Sequence, residues 1–378
     1  MTKKSHILFL CSWYPSEELP TNGDFIERHA EAIGTVHRIS VLHIITHKES
    51  SKSKIVIKTK GNVRTHIGYL APTANPILKW IRYVRIFVRL LKSVGHFDLV
   101  HLHVIFPFGL FALFLKTIQK KPYLITEHWT GYLQSKQHQI SRLHKIIAKR
   151  VVSSAAYVCP VSIALMNDMK AFGLSGRYAP VGNVVDTEIF LNKRNKDQEF
   201  TIIHISGFNE QQKNISGMLR AAKKLENEMG TFRWKFIGGN LDNYADLIEK
   251  LAFKYATIEA IDHCSQEVLA QHLQQAHVCI SFSNYETFGI TITEAIASGT
   301  LVIATPTGIV DELSKEARVT SVPIGDESAL VDAIKRVKSS AITVDSDAMN
   351  LYIKKRYGTT VITEQFSKLY QNILHNPS

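Results

Sequence analysis

Residues 278–305 read VCISFSNYETFGITITEAIASGTLVIAT. The apolar run Val278–Phe282 is typical of a buried strand, and a polar loop follows it. A helix then runs to Ser298-Gly299, and Leu301–Thr305 forms a second apolar run. A strand, a helix and a strand in this order predict two parallel strands connected by a covering helix.

The same alternation extends along the whole chain. Further strands are predicted at His6–Cys11, Ile39–Ile45, Leu99–His103, Tyr123–Thr126, Tyr157–Pro160, Thr201–Ser206 and Arg233–Ile237. Helical patterns are found at residues 24–34, 77–94, 108–119, 139–152 and 162–172. Two such blocks in series predict an α/β protein with two doubly wound, Rossmann-like parallel-sheet domains. The first would comprise residues 1–185 with a C-terminal helix at about 361–378, and the second residues 186–360.

Composition restricts the class of protein. Of 378 residues, 45% are hydrophobic and 21% charged, which is typical of a globular chain. No apolar run reaches the roughly 20 residues of a membrane-spanning helix, and the first residues do not resemble a signal peptide. The four cysteines are too far apart for metal or disulfide spacing. We therefore expect a cytoplasmic protein.

The formal net charge of +12 points to an anionic partner. No nucleic-acid-binding motif accompanies the charge, so nucleic acid is not predicted. The anionic partners that the charge predicts are therefore a phosphate-bearing substrate and an anionic membrane surface.

Two carboxylates are spaced eight residues apart in the segment 278–305. Glu286 falls in the strand-to-helix loop, and Glu294 falls inside the helix. The free backbone N–H groups at a helix start, together with the helix dipole, favour an anion such as a diphosphate. A carboxylate further along the helix can accept hydrogen bonds from a ribose diol. The alternative makes Glu286 a helix cap and Glu294 part of a solvated helix face.

The segment resembles the Glu-x7-Glu motif of retaining GT-B glycosyltransferases, particularly glycosyltransferase family 4. Other motifs follow that family in the same order along the chain: Trp13-Tyr14-Pro15, Asn22-Gly23-Asp24-Phe25, residues 98–103, Thr126-Glu127-His128, Val161-Ser162, residues 182–186 and Thr307-Gly308. The resemblance implies a GT-B architecture, in which two Rossmann-like domains face each other across a donor cleft.

The resemblance implies roles for matching positions of the second domain. Glu294 would hold the donor ribose, and Glu286 would face the transferred sugar as a catalytic residue. Lys213 would bind the diphosphate and assist its departure. Backbone groups of three consecutive residues would contact diphosphate and sugar: Phe288, Gly289 and Ile290.

The first domain would contribute residues from other loops. Gly23 would face the phosphates from the loop after the first strand. His128 would lie at the sugar and acceptor side as a catalytic residue. Asn183, and Asp186 at the start of the second domain, would also lie on that side. A neutral imidazole at His128 could donate a hydrogen bond to a sugar hydroxyl.

Two positions depart from the family pattern. Phe208 stands where the family places an Arg beside the diphosphate, and Ile309 stands where it places the second glycine of a Gly-Gly pair. Losing a cation matters because charge develops on the phosphate as it departs.

Metal binding is considered at two motifs. His101 and His103 alternate on one strand, a spacing that zinc sites also use, but the sequence shows no companion cluster. Asp345-Ser346-Asp347 has the Asp-x-Asp pattern of metal-dependent glycosyltransferases, yet it directly precedes a helical run and is better explained as a helix cap. We expect neither a metal nor a cofactor.

The predicted helix at residues 77–94 is basic on one side. The basic residues occupy one arc, and apolar and aromatic residues fill the rest; the basic set is Lys79, Arg82, Arg85, Arg89 and Lys92. Such a helix suits an anionic membrane surface and peripheral attachment at the inner face of the cell membrane. The alternative is an ordinary covering helix with a solvated basic face.

The sequence therefore predicts a retaining, metal-independent hexosyltransferase. Its donor would be a UDP- or GDP-sugar, and its acceptor a glycan or lipid-linked molecule in cell-surface polysaccharide or lipopolysaccharide biosynthesis. Two alternatives are a GT-B-fold sugar-nucleotide epimerase and a non-catalytic protein that binds sugar nucleotides or polyanions. The base, the sugar and the acceptor are not specified by these motifs.

Overall fold

The computed structural model describes residues 4–47, 52–191, 196–314, 319–339 and 345–375. The chain forms two compact units. Unit 1 comprises Met1–Val184 and Thr360–Ser378, and unit 2 comprises Val185–Thr359. Each unit has its own sheet and its own apolar core, so the predicted α/β class with two doubly wound sheets is confirmed.

Unit 1 is built on a seven-stranded sheet. Its strands are β1 (His6–Cys11), β2 (Arg38–Thr46), β3 (Lys54–Lys60), β4 (Val63–Leu70), β5 (Leu99–His103), β6 (Tyr123–Glu127) and β7 (Tyr157–Pro160). They lie in the order β3-β4-β2-β1-β5-β6-β7, and the β3–β4 pair is antiparallel while the others are parallel. β1 lies at the centre and is buried along its whole length, because helices cover both faces.

The β3–β4 hairpin was not predicted from the sequence. Gly61-Asn62 separates the two strands, and Gly61 has a left-handed φ of 57°. A two-residue Gly-Asn connection between two strand-like runs is a recognised hairpin signal. The lysines of β3 obscured it, since this edge strand is largely exposed and lacks an apolar run.

Five helices follow the strands of unit 1: α1 (Asp24–Gly34), α2 (Pro76–Val94), α3 (Gly109–Gln119), α4 (Arg142–Ser154) and α5 (Ile163–Ala171). Right-handed crossovers place α2, α3 and α4 on one face of the sheet, because the chain moves in one direction from β4 to β7. The crossover from β1 to β2 runs in the opposite direction and places α1 on the other face.

Unit 2 contains a six-stranded parallel sheet. Its strands are β8 (Thr201–Ile205), β9 (Phe232–Ile237), β10 (Ala256–Ile261), β11 (Val278–Ser281), β12 (Leu301–Ala304) and β13 (Val319–Ser321). The order is β10-β9-β8-β11-β12-β13, which brings the ends of β8 and β11 side by side although 72 residues separate the end of β8 from the start of β11 in the chain. The two edge strands, β10 and β13, were not predicted.

The helices of unit 2 are α6 (Glu210–Lys213), α7 (Ile215–Met229), α8 (Ala245–Leu251), α9 (Gln266–Gln275), α10 (Ile290–Ala297), α11 (Val310–Ser314), α12 (Glu327–Ser339) and α13 (Ser346–Tyr357). The last helix, α14 (Thr359–His375), packs Ile362 and Phe366 into the core of unit 1 beside α1. Asp345 caps α13 by accepting a hydrogen bond from the Ala348 amide at 2.9 Å, so the predicted capping role of the Asp-x-Asp motif is confirmed. Among the described residues, no helix is both long and apolar enough to cross a bilayer.

Candidate functional site

Glu286 lies in the loop that follows β11 and is 8% exposed. Its Oε1 accepts a hydrogen bond from the Ser283 hydroxyl at 2.8 Å and forms an ion pair with the Lys213 ammonium. Its Oε2 accepts a hydrogen bond from the Gln212 side chain at 3.1 Å. Donors from α6 and from the loop after β11 therefore hold the two oxygens. The structure brings two of the predicted site residues, Lys213 and Glu286, into direct contact.

The short helix α6 positions Lys213 and Gln212. Asn209 caps it by accepting from the Gln212 amide at 3.1 Å, and Asn214 ends it in a left-handed conformation with φ 53°. Asn284 ties the β11 loop to α6, because its amide donates to the Gln212 carbonyl at 2.7 Å. The adjacency of β8 and β11 thus places both loops at the carboxyl edge of the sheet, where ligands bind in doubly wound folds.

Sequence reasoning missed Gln212 and Ser283 as neighbours of the carboxylate. The signal for Ser283 was its position three residues before Glu286 in the same loop. For Gln212 it was the adjacent Lys213. Neither position stands out without knowledge of the strand order.

α10 begins at this loop without a side-chain cap from the described residues. Gly289 is the N-cap residue and has φ 91°, a conformation that favours glycine. The first amides of α10 point away from the helix body with the positive end of its dipole, which is the arrangement that binds phosphate in other proteins. The predicted backbone contacts at Gly289 and Ile290 therefore lie at a suitable place for an anion.

Phe288 and Gly308 fix the entry into α10. The Phe288 ring is buried and packs edge-on against Tyr357 at 5.3 Å between ring centroids. A Cβ at Gly308 would lie 2.3 Å from the Phe288 carbonyl oxygen, so a side chain there would displace the loop. Ile309, the residue in place of the family's second glycine, is buried and its amide donates to the same carbonyl at 3.1 Å.

The alternative interpretations of the two carboxylates are wrong. Glu294 is 1% exposed, so it does not belong to a solvated helix face. Burial first, and Glu294 second, raise the pKa of Cys279 to about 12, which places this carboxylate near β11. Gly289 is the N-cap residue of α10, so Glu286 does not cap it.

Phe208 contributes packing where the family would place a cation. Its ring is buried, and a Cβ at Gly239 would approach its Cγ to 2.2 Å, so Gly239 makes room for the ring. Phe236 meets it edge-on at 6.0 Å. Among the described residues, Lys213 forms an ion pair with Glu286 in the loop at residues 283–289.

In unit 1, Gly23 is the N-cap residue of α1, with φ 78°, and the Phe25 amide in the first turn donates to the Asp24 carboxylate at 2.8 Å. A Cβ at Gly23 would lie 2.7 Å from the Trp13 carbonyl carbon and 2.9 Å from the Tyr14 nitrogen. Both the backbone angle and the close approach therefore require glycine. The loop after β1 packs directly against the start of α1.

His128 follows β6 and is buried beside Phe25, with 4.6 Å between ring centroids. Burial holds the pKa of His128 well below its usual value, so the imidazole is neutral at physiological pH. Among the described residues, its Nε2 has no hydrogen-bond partner. A neutral ring with an unused nitrogen is suited to a hydroxyl partner.

Glu127 shapes the loop that presents His128. One oxygen accepts from the amides of His128 at 2.9 Å and Trp129 at 2.8 Å, and the other accepts from the Ile105 amide at 3.0 Å. Burial raises the pKa of Glu127 to about 7, and the three amides oppose that effect. Sequence reasoning quoted this residue within a motif but gave it no role. Its role is to position the loop.

Asn183 and Asp186 lie in different units. Asn183 is buried in unit 1, where its Oδ1 has no partner among the described residues. In unit 2, Asp186 Oδ1 accepts from the amides of Glu188 at 3.0 Å and Ile189 at 3.3 Å. That oxygen is therefore occupied by a local turn.

The structure corrects the prediction that His103 lacks companions. His29, His103 and His128 are buried with their candidate donor atoms within 4.8 Å of one another. Ligands about 2.0–2.1 Å from a tetrahedral zinc ion lie roughly 3.4 Å apart, so this spacing would have to contract to hold one. His101 is already engaged, because its ring nitrogens contact the Tyr370 hydroxyl at 2.7 Å and the Thr126 hydroxyl at 2.6 Å. We assign no metal to the cluster.

Comparison with known proteins identifies the family. A model described as Glycosyltransferase Family 4 matches residues 34–189, and one described as Glycosyl transferases group 1 matches residues 186–356. The chain is 24% identical over 296 residues to phosphatidyl-myo-inositol mannosyltransferase of Mycobacterium tuberculosis and Mycobacterium bovis. The match covers 74% of this chain and 75% of those proteins.

Solved structures agree on the fold. Sucrose-phosphate synthase from Thermosynechococcus elongatus has a TM-score of 0.79 at 17% identity, covering 98% of this chain and 99% of that one. Anabaena HepE, in complex with UDP and glucose, has a TM-score of 0.72 at 14% identity, covering 97% and 99%. Since the two family models follow one another from residue 34 to residue 356, the chain belongs to glycosyltransferase family 4, glycosyl transferases group 1, and is a GT-B glycosyltransferase with a nucleotide-sugar donor.

Proposed function

We propose that this enzyme transfers a hexose from UDP- or GDP-sugar to a glycan or lipid-linked acceptor, with retention of anomeric configuration. The observation that carries the proposal is the Lys213–Glu286 ion pair beside the uncapped start of α10. A diphosphate bound at that helix start would meet both the helix dipole and an ammonium group.

Lys213 is suited to exchange partners as the donor binds. Its side chain is partly exposed and, within the described part of the chain, is paired with one carboxylate, that of Glu286. A diphosphate would compete for the ammonium and would carry more charge after bond cleavage than before it. Interactions that strengthen in this way accelerate the chemical step, and removing one such donor typically costs about 10²–10³ in rate.

Retention is supported by the environment of Glu286. An inverting enzyme needs a carboxylate that is available to take a proton from the acceptor hydroxyl. Both oxygens of Glu286 are engaged by Lys213, Gln212 and Ser283, an arrangement better suited to binding sugar hydroxyls and stabilising positive charge. In unit 1, the neutral His128 would donate or accept a hydrogen bond at the sugar or its acceptor.

The acceptor and pathway are argued from the relatives. The mycobacterial relatives are named for mannosyl transfer to a phosphatidylinositol, and HepE binds UDP and glucose. By analogy with these relatives, we propose that the acceptor is a lipid-linked molecule or a glycan. We propose also that the enzyme acts in cell-surface polysaccharide or lipopolysaccharide synthesis at the cytoplasmic face of the membrane.

We also propose that transfer needs neither a divalent cation nor a cofactor, because the α10 amides and Lys213 would bind the diphosphate. Transfer should persist in excess chelator. Complete loss that magnesium or manganese restores would contradict metal independence while leaving the transferase proposal intact.

The decisive experiment measures nucleotide release from UDP- and GDP-sugars with and without candidate acceptors. A transferase releases nucleotide only when donor and acceptor are both present, and NMR of the product should show the anomeric configuration of the donor. Formation of an epimer without acceptor would indicate an epimerase. Saturable donor binding with no release would indicate a binding protein.

A further inference from the structure

Helices α2, α3 and α4 expose an unusual number of large apolar side chains. Eleven of the 20 exposed large hydrophobic residues in the described chain lie on these helices or on the loop before α3. They are Ile77, Leu78, Trp80, Ile81, Val88, Phe106, Leu110, Phe114, Ile118, Leu143 and Ile146. Scattered exposed leucines need no explanation, but a contiguous apolar patch marks an interaction surface.

The three helices lie side by side on one face of the unit 1 sheet. α2 meets α3 through Phe87 and Phe111, whose ring centroids are 4.1 Å apart. α3 meets α4 where the Lys116 ammonium donates to the Ser154 carbonyl at 2.9 Å. The exposed residues therefore form one surface, here called the three-helix face, which comprises the outward side chains of α2, α3 and α4 and Phe106.

On α3 the apolar residues form a regular stripe on the outside of the helix. Leu110, Phe114 and Ile118 are spaced four residues apart, and Ile118 is 66% exposed. On α2 the first two turns expose Ile77, which is 70% exposed, together with Trp80. A covering helix normally turns such residues inward, so the alternative of an ordinary covering helix with only a solvated basic face does not describe this surface.

The charge around the face has one sign. Residues 71–154 contain 13 lysines and arginines and two acidic residues, and neither acid lies on the three helices. Asp98 accepts a hydrogen bond from the His6 amide at 2.7 Å, and Glu127 is buried. This segment alone therefore contributes a formal charge of +11, close to the +12 of the whole chain.

We infer that the three-helix face docks on an anionic lipid bilayer surface. Exposed aliphatic and aromatic side chains enter the boundary between head groups and acyl chains, and the surrounding lysines and arginines meet lipid phosphates. A protein partner would have to present a uniformly acidic surface around an apolar centre, whereas an anionic bilayer offers both at once. The inference rests on unit 1 alone and does not depend on the proposed donor chemistry.

The structure also selects the residues for a test. Arg82 is unsuitable, because the residue is half-buried and its guanidinium donates to the Ala71 carbonyl at 3.3 Å. Lys79, Arg85 and Arg89 are exposed. A matched control reverses three exposed lysines of unit 2: Lys250, Lys254 and Lys355.

The experiment is co-sedimentation of the full chain with two kinds of vesicle. One is phosphatidylcholine alone, and the other contains about one phosphatidylglycerol in three lipids, which gives an anionic surface that attracts basic residues. The wild type should bind the anionic vesicles preferentially and release at high salt. Each basic residue removed should lower the partition coefficient about five-fold, so K79E/R85E/R89E should lower it by at least about 100-fold. K250E/K254E/K355E should bind like the wild type.

A second variant tests the apolar part. Replacing Ile77, Ile118 and Leu143 by serine should weaken binding to anionic vesicles about ten-fold or more without changing the charge. Equal losses in the two charge-reversed variants, equal binding to neutral and anionic vesicles, or binding to duplex RNA in place of vesicles would overturn the inference. Donor binding, measured on the same variants, should be unchanged. If the chain binds vesicles but transfers no sugar, the proposed function is contradicted and the membrane inference is not.

Discussion

Unit 1 and unit 2 share a doubly wound parallel sheet but place opposite kinds of chemistry at the carboxyl ends of their strands. Unit 1 collects neutral, buried imidazoles there: His103 ends β5, and His128 follows β6. Unit 2 places an ion pair there, formed by Lys213 after β8 and Glu286 after β11. The same topology thus presents uncharged hydrogen-bonding groups in one unit and fixed charges in the other.

Buried histidines show the contrast most directly. In unit 2, both ring nitrogens of His204 are engaged, by the Ile280 carbonyl at 2.9 Å and the Ser206 hydroxyl at 2.8 Å. In unit 1, neither ring nitrogen of His103 has a partner among the described residues. An unpartnered buried polar atom costs roughly 1–3 kcal/mol. The buried imidazole of His204 in unit 2 therefore has both of its hydrogen bonds, whereas that of His103 in unit 1, beside His128, has unused hydrogen-bonding capacity.

The largest expected effect is a loss of stability in acid that is greater in unit 1 than in unit 2, where burial also lowers the pKa of His204 to about 4. Burial lowers the pKa of His29 and His43 to about 4 and that of His101, His103 and His128 well below the usual value. Their contribution is fully present above pH 6.5 and is lost as the pH falls toward 4. A shift of this size corresponds to about 3 kcal/mol for each of His29 and His43.

One group acts in the opposite direction. Glu127, with its pKa raised to about 7, favours folding below its unfolded pKa and loses that contribution as the pH rises through 7. Acidification therefore raises the free energy of unfolding by about 3 kcal/mol through this one carboxyl. The losses from the several histidines add up to more than this gain. Hydrogen exchange with mass spectrometry, corrected for intrinsic rates, should show β1 and β5 losing protection before β8 and β11 between pH 6.5 and 4.

His103→Leu sharpens this test. The leucine removes an unpartnered imidazole, so stability at pH 7 should be equal or higher, and part of the acid sensitivity of unit 1 should disappear. Simultaneous loss of protection in both units, or an unchanged acid response in His103→Leu, would contradict the assignment of acid sensitivity to these imidazoles.

The second effect concerns the ion pair of unit 2. Lys213→Met should lower kcat/KM by about 10²–10³, because it removes a cation from the departing diphosphate. Lys223→Met is a matched control, since Lys223 also pairs with a buried carboxylate, Glu226, and has a similar exposure. The control should lower the free energy of unfolding but preserve kcat/KM. Equal activity of the two variants would remove Lys213 from the reaction.

The sequence predicted the fully buried strands well and the exposed edge strands poorly; β7 is an edge strand, but its residues are all buried. The strands β1, β5 and β7 have the bounds that were predicted, because continuous apolar runs are needed where both faces are covered. The edge strands β3, β10 and β13 were missed, and so was β4, the hairpin partner of β3. Edge strands are partly exposed, so their polar residues remove the apolar signal.

For the candidate site, the sequence supplied the residue types and the structure supplied their neighbours. Glu286 and Lys213 are 73 positions apart, and their contact follows from a strand order that local patterns do not contain. The same holds for His29, which joins His103 and His128 from α1. The departure at Phe208 was visible in the sequence, but its burial against Gly239 required the packed structure.

The smallest of the three effects concerns donor affinity in unit 2. Glu294→Gln should weaken binding of the donor nucleotide by about 10- to 150-fold, because a hydrogen bond to a charged acceptor contributes roughly 1.5–3 kcal/mol. Glu294 is buried in α10, the helix whose start is suited to the diphosphate, so a ribose can be held at a fixed distance from the phosphates. Titration calorimetry with UDP and GDP measures the change and identifies the base.

Glu226→Gln is the matched control, since Glu226 is a buried carboxylate of the same unit that accepts from the amides of Lys254, Tyr255 and Ala256. It should lower the free energy of unfolding while nucleotide affinity stays the same. If Glu294→Gln instead binds both nucleotides like the wild type, the ribose lies elsewhere, and the fixed charges of unit 2 would serve the diphosphate and sugar alone.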